Sequence, residues 1–456
     1  MKKIRIASGQ GFWGDRSSAP VEQVKRGPID YLMLDYLAEV TMSILQKQRS
    51  RDASQGYARD FVGVMAQILE DCAAKNIKVI ANAGGVNIEG CRDAVLAEAR
   101  KLNLAGKVRV GVVLGDDILE RLPKLIKHGH ALSNLDTGAP LTDVLDKVMS
   151  ANAYIGAQPI ISALQKNATV VITGRSTDTA LTYAPMMHEF GWAFDNWNML
   201  AAGVVAGHIN ECGAQASGGN SLIGWEDVPD MWDIGYPIIE ASEDGTFVVT
   251  KHDKTGGLIN RAVVSEQILY ELGNPSDYIT PDVVADFSTI QLEDAGTNRV
   301  KVHGVKGAPR TDKLKVSISY HAGYKAVGTL VYSWPNAVKK AEMASRVLRE
   351  RLDRAGYKYD AVRTEFVGWN STHAHLAGAA SDDMPEVELR VGVRGQDKKA
   401  IDAFSKELAP LILTGPPSVT GFAGGRPKVQ DIVAYWPALI DRTEIEPNLR
   451  VEVTEA

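Results

Sequence analysis

Five short apolar runs, each closed by a loop rich in glycine, asparagine or aspartate, constrain the fold of this chain more than any other feature. The runs are residues 4–7, 31–34, 78–81, 108–114 and 169–173. Behind them come Gly9-Gln10-Gly11-Phe12-Trp13-Gly14-Asp15, Asp35, Asn82-Ala83-Gly84-Gly85, Gly115-Asp116-Asp117 and Gly174-Arg175-Ser176-Thr177-Asp178. Helical segments separate several of them. Phe61, Met65, Ile68 and Cys72 share one helical face, residues 94–104 read as a helix, and Pro159 opens another as a first-turn proline. Strand–helix alternation with apolar strands predicts an α/β fold, a mainly parallel sheet with helices on both faces. Ligands of such sheets bind beyond the carboxyl ends of the strands. One rim is therefore expected, where Gly11, Asp15, Asp35, Glu39, Asn82, Gly84, Asp116, Arg175 and Asp178 converge.

The pattern changes after residue 260. Residues 1–260 form the expected α/β domain, and residues 261–456 a smaller α+β domain. In the latter, 285–293 and 299–305 read as strands. Residues 315–320 and 327–332 flank His321-Ala322-Gly323-Tyr324 as a hairpin would. A charged amphipathic helix over 337–355, strands over 363–367 and 386–393 and a helix over 398–411 follow. The acidic tail, 449–456, is expected to fray.

The chemistry concentrates in residues 201–220, AAGVVAGHINECGAQASGGN. On a helix, His208, Glu211 or Cys212, and Gln215 share one face. Histidine titrates near neutral pH and both accepts and donates protons. His208 and Glu211 thus read as an acid/base pair, with Glu211 orienting the ring, and the bland alternative is a buried helix whose polar groups satisfy nearby loops. Asn82, the amides of Gly84 and Gly85, and Arg175 would hold a carboxylate or developing oxyanion. Asp35, Glu39, Asp116 and Asp178 would hold a divalent cation such as Mg²⁺ if they cluster. A Zn²⁺ site on His208 and Cys212 lacks further ligands at helical spacing.

Three glycine loops add binding candidates. Gly9-x-Gly11-x-x-Gly14 with Asp35 is a partial dinucleotide fingerprint. It is weakened by the bulk of Phe12 and Trp13, the charge of Asp15, and Pro20 where a helix should run. Gly11, Trp13 and Asp15 remain substrate-binding candidates, with Gln215. The loop Gly421-Phe422-Ala423-Gly424-Gly425-Arg426-Pro427 could take a carboxylate or phosphate through Gly424 amides and Arg426. Thr255-Gly256-Gly257, after His252 and Lys254, is a third.

Composition narrows the partners. A formal net charge of -6 gives no basic footprint, so nucleic acid is not an expected partner. No run is long and apolar enough to span a bilayer, and the opening residues read as a strand, not a signal peptide. Three cysteines fit a reducing compartment. The expectation is a cytoplasmic homo-oligomer with a small-molecule ligand.

Seven stretches together carry a resemblance: GFWGDR, DYLMLDYLAEVTM, ANAGGVN, VVITGRSTDTAL, GHINECGAQASGGN, ADFSTI and TGFAGGRPKVQ. They are similar to the acyclic terpene utilisation family, over nearly the full chain. The resemblance implies bacterial catabolism of citronellol, geraniol or related branched acids as CoA thioesters. It brings neither an established reaction nor catalytic residues. Combined with the residues, it leads to an expected lyase or hydratase acting on a branched carboxylated acid or its CoA thioester. The alternatives are a non-catalytic partner of a CoA-thioester enzyme complex and a dinucleotide-dependent oxidoreductase.

Overall fold

The five apolar runs become neighbouring strands of one large sheet. The structure, a computed structural model, describes residues 1–420 and 425–456. It begins with β1 (Lys3–Gln10), α1 (Ala19–Arg26), β2 (Tyr31–Leu34), α2 (Glu39–Arg51), α3 (Arg59–Lys75), β3 (Lys78–Ala81), α4 (Ile88–Lys101) and β4 (Arg109–Leu114). Then come α5 (Leu122–Lys127), β5 (Val148–Ala153), α6 (Gln158–Gln165), β6 (Val170–Thr173), α7 (Ala180–Phe190) and α8 (Trp197–Glu211). Next are β7 (Ile238–Ser242), β8 (Phe247–Thr250), α9 (Arg261–Leu269), β9 (Tyr278–Ile279), β10 (Val284–Asp286), β11 (Gln291–Asp294), β12 (Val300–His303) and β13 (Lys306–Ala308). The last are β14 (Lys313–Ser333), α10 (Ala337–Arg354), β15 (Ala361–Val367), β16 (Glu386–Gly395), α11 (Lys398–Leu408), α12 (Leu411–Thr414), β17 (Gln430–Asp441) and β18 (Arg450–Glu455).

The large sheet has ten strands in the order β11-β12-β8-β7-β1-β2-β3-β6-β4-β18. Parallel pairings join β1, β2, β3, β6 and β4. The outer pairings are antiparallel. The α/β class holds, but the sheet is mixed and not mainly parallel. Of the antiparallel strands, β11 and β12 fall in segments read as strands of the second domain, whereas β7 and β8 were missed because they are a short hairpin, turned at Gly245 (φ 83°), inside a segment dominated by glycine loops. The tail does not fray: β18 pairs with β4 from Arg450 opposite Leu114 to Glu455 opposite Arg109.

Two compact units result: Met1–Ser319 with Tyr435–Ala456, and Tyr320–Ala434. The boundary expected at 260 is displaced because β11 and β12 join the large sheet through β8. In the smaller unit, Leu330, Tyr332, Leu348, Leu389 and Phe404 form a core. The predicted hairpin at 321–324 is instead the middle of one 21-residue strand, β14. Gly323 (φ 99°) absorbs there what the sequence presents as a turn.

The predicted face of α3 is buried, with Phe61, Met65, Ile68 and Cys72 in the core. Each apolar side chain of that size contributes about 1.5–3 kcal/mol. Pro20 does not interrupt α1 but sits in its first turn, where its missing N–H has no partner to lose. Helix α8 is buried from Leu200 to Asn210, as an apolar helix without a polar face must be. Its glycines let α7 come close: a Cβ on Gly207 would lie 2.5 Å from the Thr179 carbonyl oxygen. Thr179 follows Asp178, so this contact sets one side of the rim. Gly207→Ala is expected to destabilise the chain by about 1–3 kcal/mol through overpacking. Urea unfolding measures it, and an unchanged midpoint would show that the two helices separate freely.

Candidate active site

Strands β2 and β3 end side by side, and their first loop residues meet. The Asn82 amide donates to Asp35 Oδ1 at 2.7 Å and its Oδ1 accepts the Tyr36 amide at 2.6 Å. Asp35 Oδ1 also accepts the Leu37 amide at 3.1 Å. Both hydrogen bonds of the carboxylate fall on Oδ1. Burial pushes the Asp35 carboxyl up to about 6, against the pull of Arg175 and Asn82, and Glu211 adds to the rise.

The loop after β6 supplies Arg175, only 1% exposed. Its guanidinium donates to the Leu37 and Ser176 carbonyls and to Asp178 Oδ1, and it lies 4.4 Å from the centre of the Tyr154 ring. Burial opposes its charge, but Asp178, Tyr154, Asp35 and Glu39 hold it more firmly protonated than a free arginine. Asp116 Oδ2, at the end of β4, accepts the Arg175 backbone amide at 2.8 Å and the Asn152 side-chain amide at 2.9 Å.

Three residues complete the open side. Glu39 accepts the Tyr154 hydroxyl at 2.7 Å and stands 3.5 Å from Lys315 Nζ. Lys315 Nζ lies 4.8 Å from the Tyr154 ring centre, so that ring meets two cations. Burial works against the Glu39 carboxylate, but the Tyr154 hydroxyl, Arg175 and Lys315 hold it below the usual range. The side chains of Glu39, Asp178 and Lys315 are all partly exposed, so a ligand can reach them.

The end of α8 closes the rim. His208 Nδ1 lies 3.5 Å from Glu211 Oε1 and 3.4 Å from the Tyr278 hydroxyl. Tyr278 and Phe287 meet the imidazole edge-to-face. The ring is buried, and neither His208 Nε2 nor Glu211 Oε2 has a hydrogen-bond partner among the described residues. Glu211 is close enough to Asp35 and Asp178 to disfavour their charged forms.

The rim thus brings together Asp35, Glu39, Asn82, Asp116, Arg175, Asp178, His208 and Glu211, and several other candidates stand elsewhere or do other work. Gln215 leaves the shared helical face, because α8 stops at Glu211 and Gly213 (φ 57°) opens a 3-10 turn. The Gly84 amide donates to the Thr173 carbonyl at 3.0 Å, tying the β3 loop to β6, and is no oxyanion donor. Gly85 packs against Leu45 and the Gly56 carbonyl. The Gly11 amide donates to Asp15 at 2.9 Å, and a Cβ on Gly11 would lie 2.8 Å from the Cys212 carbonyl carbon. The space a pyrophosphate needs is therefore filled by the end of α8. Asp15 also accepts the Tyr236 hydroxyl at 2.6 Å, and the Trp13 indole donates to Asp60 at 2.9 Å. Gly424 lies outside the described residues, and Arg426 is exposed on the smaller unit. Tyr154, Lys315, Tyr278 and Phe287 were not singled out from sequence.

Among the described residues, no group of three or more His, Cys, Asp or Glu side chains is placed to hold a metal ion. Asp35, Glu39, Asp116 and Asp178 are therefore not one ligand set. Arg175 stands among them, bonded to Asp178 and, through its amide, to Asp116.

Burial pushes Asp116 up to about 7. Between about pH 4 and 7 the folded chain then keeps a proton that the unfolded chain has released, so stability from this group falls as pH rises through that window. Asn at this position still accepts both N–H donors and carries no charge. Asp116→Asn should therefore gain on the natural chain between pH 4 and 7, at about 1.4 kcal/mol for each pH unit. Urea unfolding at pH 4.5, 6 and 7.5 measures it, and parallel curves would contradict it.

Fold and rim together define a class: an α/β protein with a mixed sheet, bearing a cluster of buried carboxylates around one arginine at the carboxyl ends of its parallel strands. The model of the acyclic terpene utilisation family protein AtuA matches residues 4–451, and the chain belongs to this family. No curated protein and no solved structure matches it.

Proposed function

We propose that this member of the acyclic terpene utilisation family is an acid–base enzyme of lyase or hydratase type, acting on a branched carboxylated acid or its CoA thioester. The observation that carries this is Asp35: a buried carboxyl held at about 6, with Oδ1 fixed by two donors and Oδ2 left for a proton. A base with that pKa is mostly ionised near neutrality and still basic enough to work there. Glu211 is its counterpart across the rim, with His208 behind it as a positioning residue, because the imidazole is enclosed by Tyr278 and Phe287.

In the dehydration direction, the Asp35 carboxylate takes the proton from the carbon next to the carbonyl. The electron pair moves through the enolate and forms the carbon–carbon double bond as the hydroxyl leaves. The hydroxyl takes the proton of Glu211 and departs as water. Lys315 and Tyr154 would face the carbonyl oxygen as it becomes negative. Arg175 has its groups engaged by the protein, so it holds the carboxylates in place and does not grip substrate.

The test is a panel of branched 3-hydroxyacyl and 2-enoyl CoA thioesters, with and without Mg²⁺, followed by the absorbance of the enoyl thioester. Turnover of at least one is expected. No turnover of any would remove the enzyme reading and leave the partner of an enzyme complex. That second reading has its own support in four exposed apolar side chains close in sequence, Leu222, Ile223, Trp225 and Trp232. The same surface would serve a homo-oligomer, which the native mass decides. His208→Asn separates the roles at α8: a positioning role lowers turnover while Glu211 is kept, whereas a purely structural one lowers only the melting temperature.

A further inference from the structure

The third glycine loop, left unused by the rim, borders a pocket of about 350 Å³. Its charged lining is Arg5, Arg26, Lys251, Lys254 and Arg299 against the single carboxylate of Asp253, on a chain whose net charge is -6. Part of this charge is answered from behind. Glu240 pairs with Arg5 at 3.0 Å and with Arg299, and Asp233 pairs with Arg26 at 2.8 Å. The two lysines differ. Lys251 is only 7% exposed, and its ammonium donates to the Thr255 carbonyl at 2.8 Å and hydroxyl at 3.1 Å. Both partners are neutral. Among the described residues neither Lys251 nor Lys254 has a carboxylate within ion-pair distance, and an ammonium has three donors to place. A buried ammonium solvated only by neutral oxygens is costly unless an anion completes its shell.

The loop is built to hold these groups. Lys254 adopts a left-handed backbone (φ 60°), and Gly257 (φ 89°) continues the turn. A Cβ on Gly256 would lie 2.1 Å from the Asp230 carbonyl oxygen, so only glycine fits. The hydroxyl of Thr255 donates to the His252 carbonyl at 2.7 Å, bracing the turn. Cations arriving from β1, from the end of α1, from this loop and from the start of β12 suit a tetrahedral anion, whose several oxygens each take a separate donor.

We propose that this pocket binds the phosphate groups of a small phosphorylated molecule. It shares no residue with the rim, so it stands or falls apart from the acid–base reading. Titration calorimetry at fixed ionic strength with inorganic phosphate, coenzyme A and pantetheine tests it. The natural chain should bind the phosphate-bearing probes. Lys251→Met and the exposed Lys254→Ala should each weaken binding by about tenfold or more, the worth of one hydrogen bond to a charged group. Unchanged melting of Lys254→Ala keeps the comparison valid if Lys251→Met is unstable. Coenzyme A binding much tighter than phosphate identifies a nucleotide source, and equal affinities identify free phosphate or a simple monoester. Absence of binding to either phosphate probe, or binding that survives both substitutions, overturns the proposal, as does pantetheine binding as well as coenzyme A.

Discussion

Asp35→Asn is expected to fold normally and to lose about a hundredfold or more in turnover on whichever thioester the panel identifies. The fold should survive because the new side-chain oxygen can still accept from Asn82 and from the Leu37 amide, the two bonds that hold the carboxylate. Turnover should fall because the amide cannot take a proton from carbon. The pH profile carries the finer test. With the ionised form as the base, kcat/KM climbs through about pH 6 and levels above it, following the raised pKa of Asp35. In Asp35→Asn that limb disappears. Glu211→Gln should lower turnover but leave that limb in place, because it removes the proton donor and not the base. A folded Asp35→Asn protein with near-normal turnover and an unchanged profile would take Asp35 out of the mechanism.

Arg175→Met should be the most destabilising substitution in the rim, by roughly 3–5 kcal/mol. The loss is not of packing, since methionine fills much of the space. It comes from leaving Asp178, Asp35 and Glu39 facing one another without their cation. The sign against pH follows. Without Arg175 the carboxylates hold their protons to higher pH, so the variant should be closest to the natural chain in mild acid and furthest from it above neutrality. Arg175→Lys should fall between, because an ammonium keeps the charge but cannot reach the Leu37 carbonyl, Ser176 carbonyl and Asp178 together. Urea unfolding at pH 5 and pH 8 decides. A loss below about 1 kcal/mol, the same at both pH values, would show that the arginine is not the electrostatic centre of the rim.

What the sequence revealed of this site depended on burial and period. Strands buried on both faces read as unbroken apolar runs, so β1 to β4 and β6 were visible, and with them the loops bearing Asp35, Asn82, Asp116, Arg175 and Asp178. The chemistry of those residues was less legible. Asp35 and Asn82 are far apart in sequence, and only the pairing of β2 with β3 makes them partners. Their spacing looked equally fit for a cation, and it took the position of Arg175 to change the reading. Helical period placed His208 and Glu211 on one face but not the end of the helix, so Gln215 was carried along one turn too far. Tyr278 arrives on β9, where two residues of strand leave no periodic signal, and Lys315 heads a stretch that reads as a strand but carries no sign that it reaches the rim. Glycine was the least reliable guide: Gly11, Gly84 and Gly85 serve close packing in the fold, a need that looks identical in sequence to making room for a ligand.

The pairing of β18 with β4 has a consequence for how the chain is made. Leu114 leaves the ribosome well before its neighbour Arg450. At about 5–20 residues per second the delay between them is on the order of 20 to 70 seconds. Throughout that interval β4 presents an unsatisfied row of N–H and C=O groups, the kind of edge to which other nascent chains add. The smaller unit is synthesised inside the same interval and can complete its own core first. The rim strands are then sealed by a segment that emerges long after them, which makes that segment the gatekeeper between folding and aggregation on the polysome.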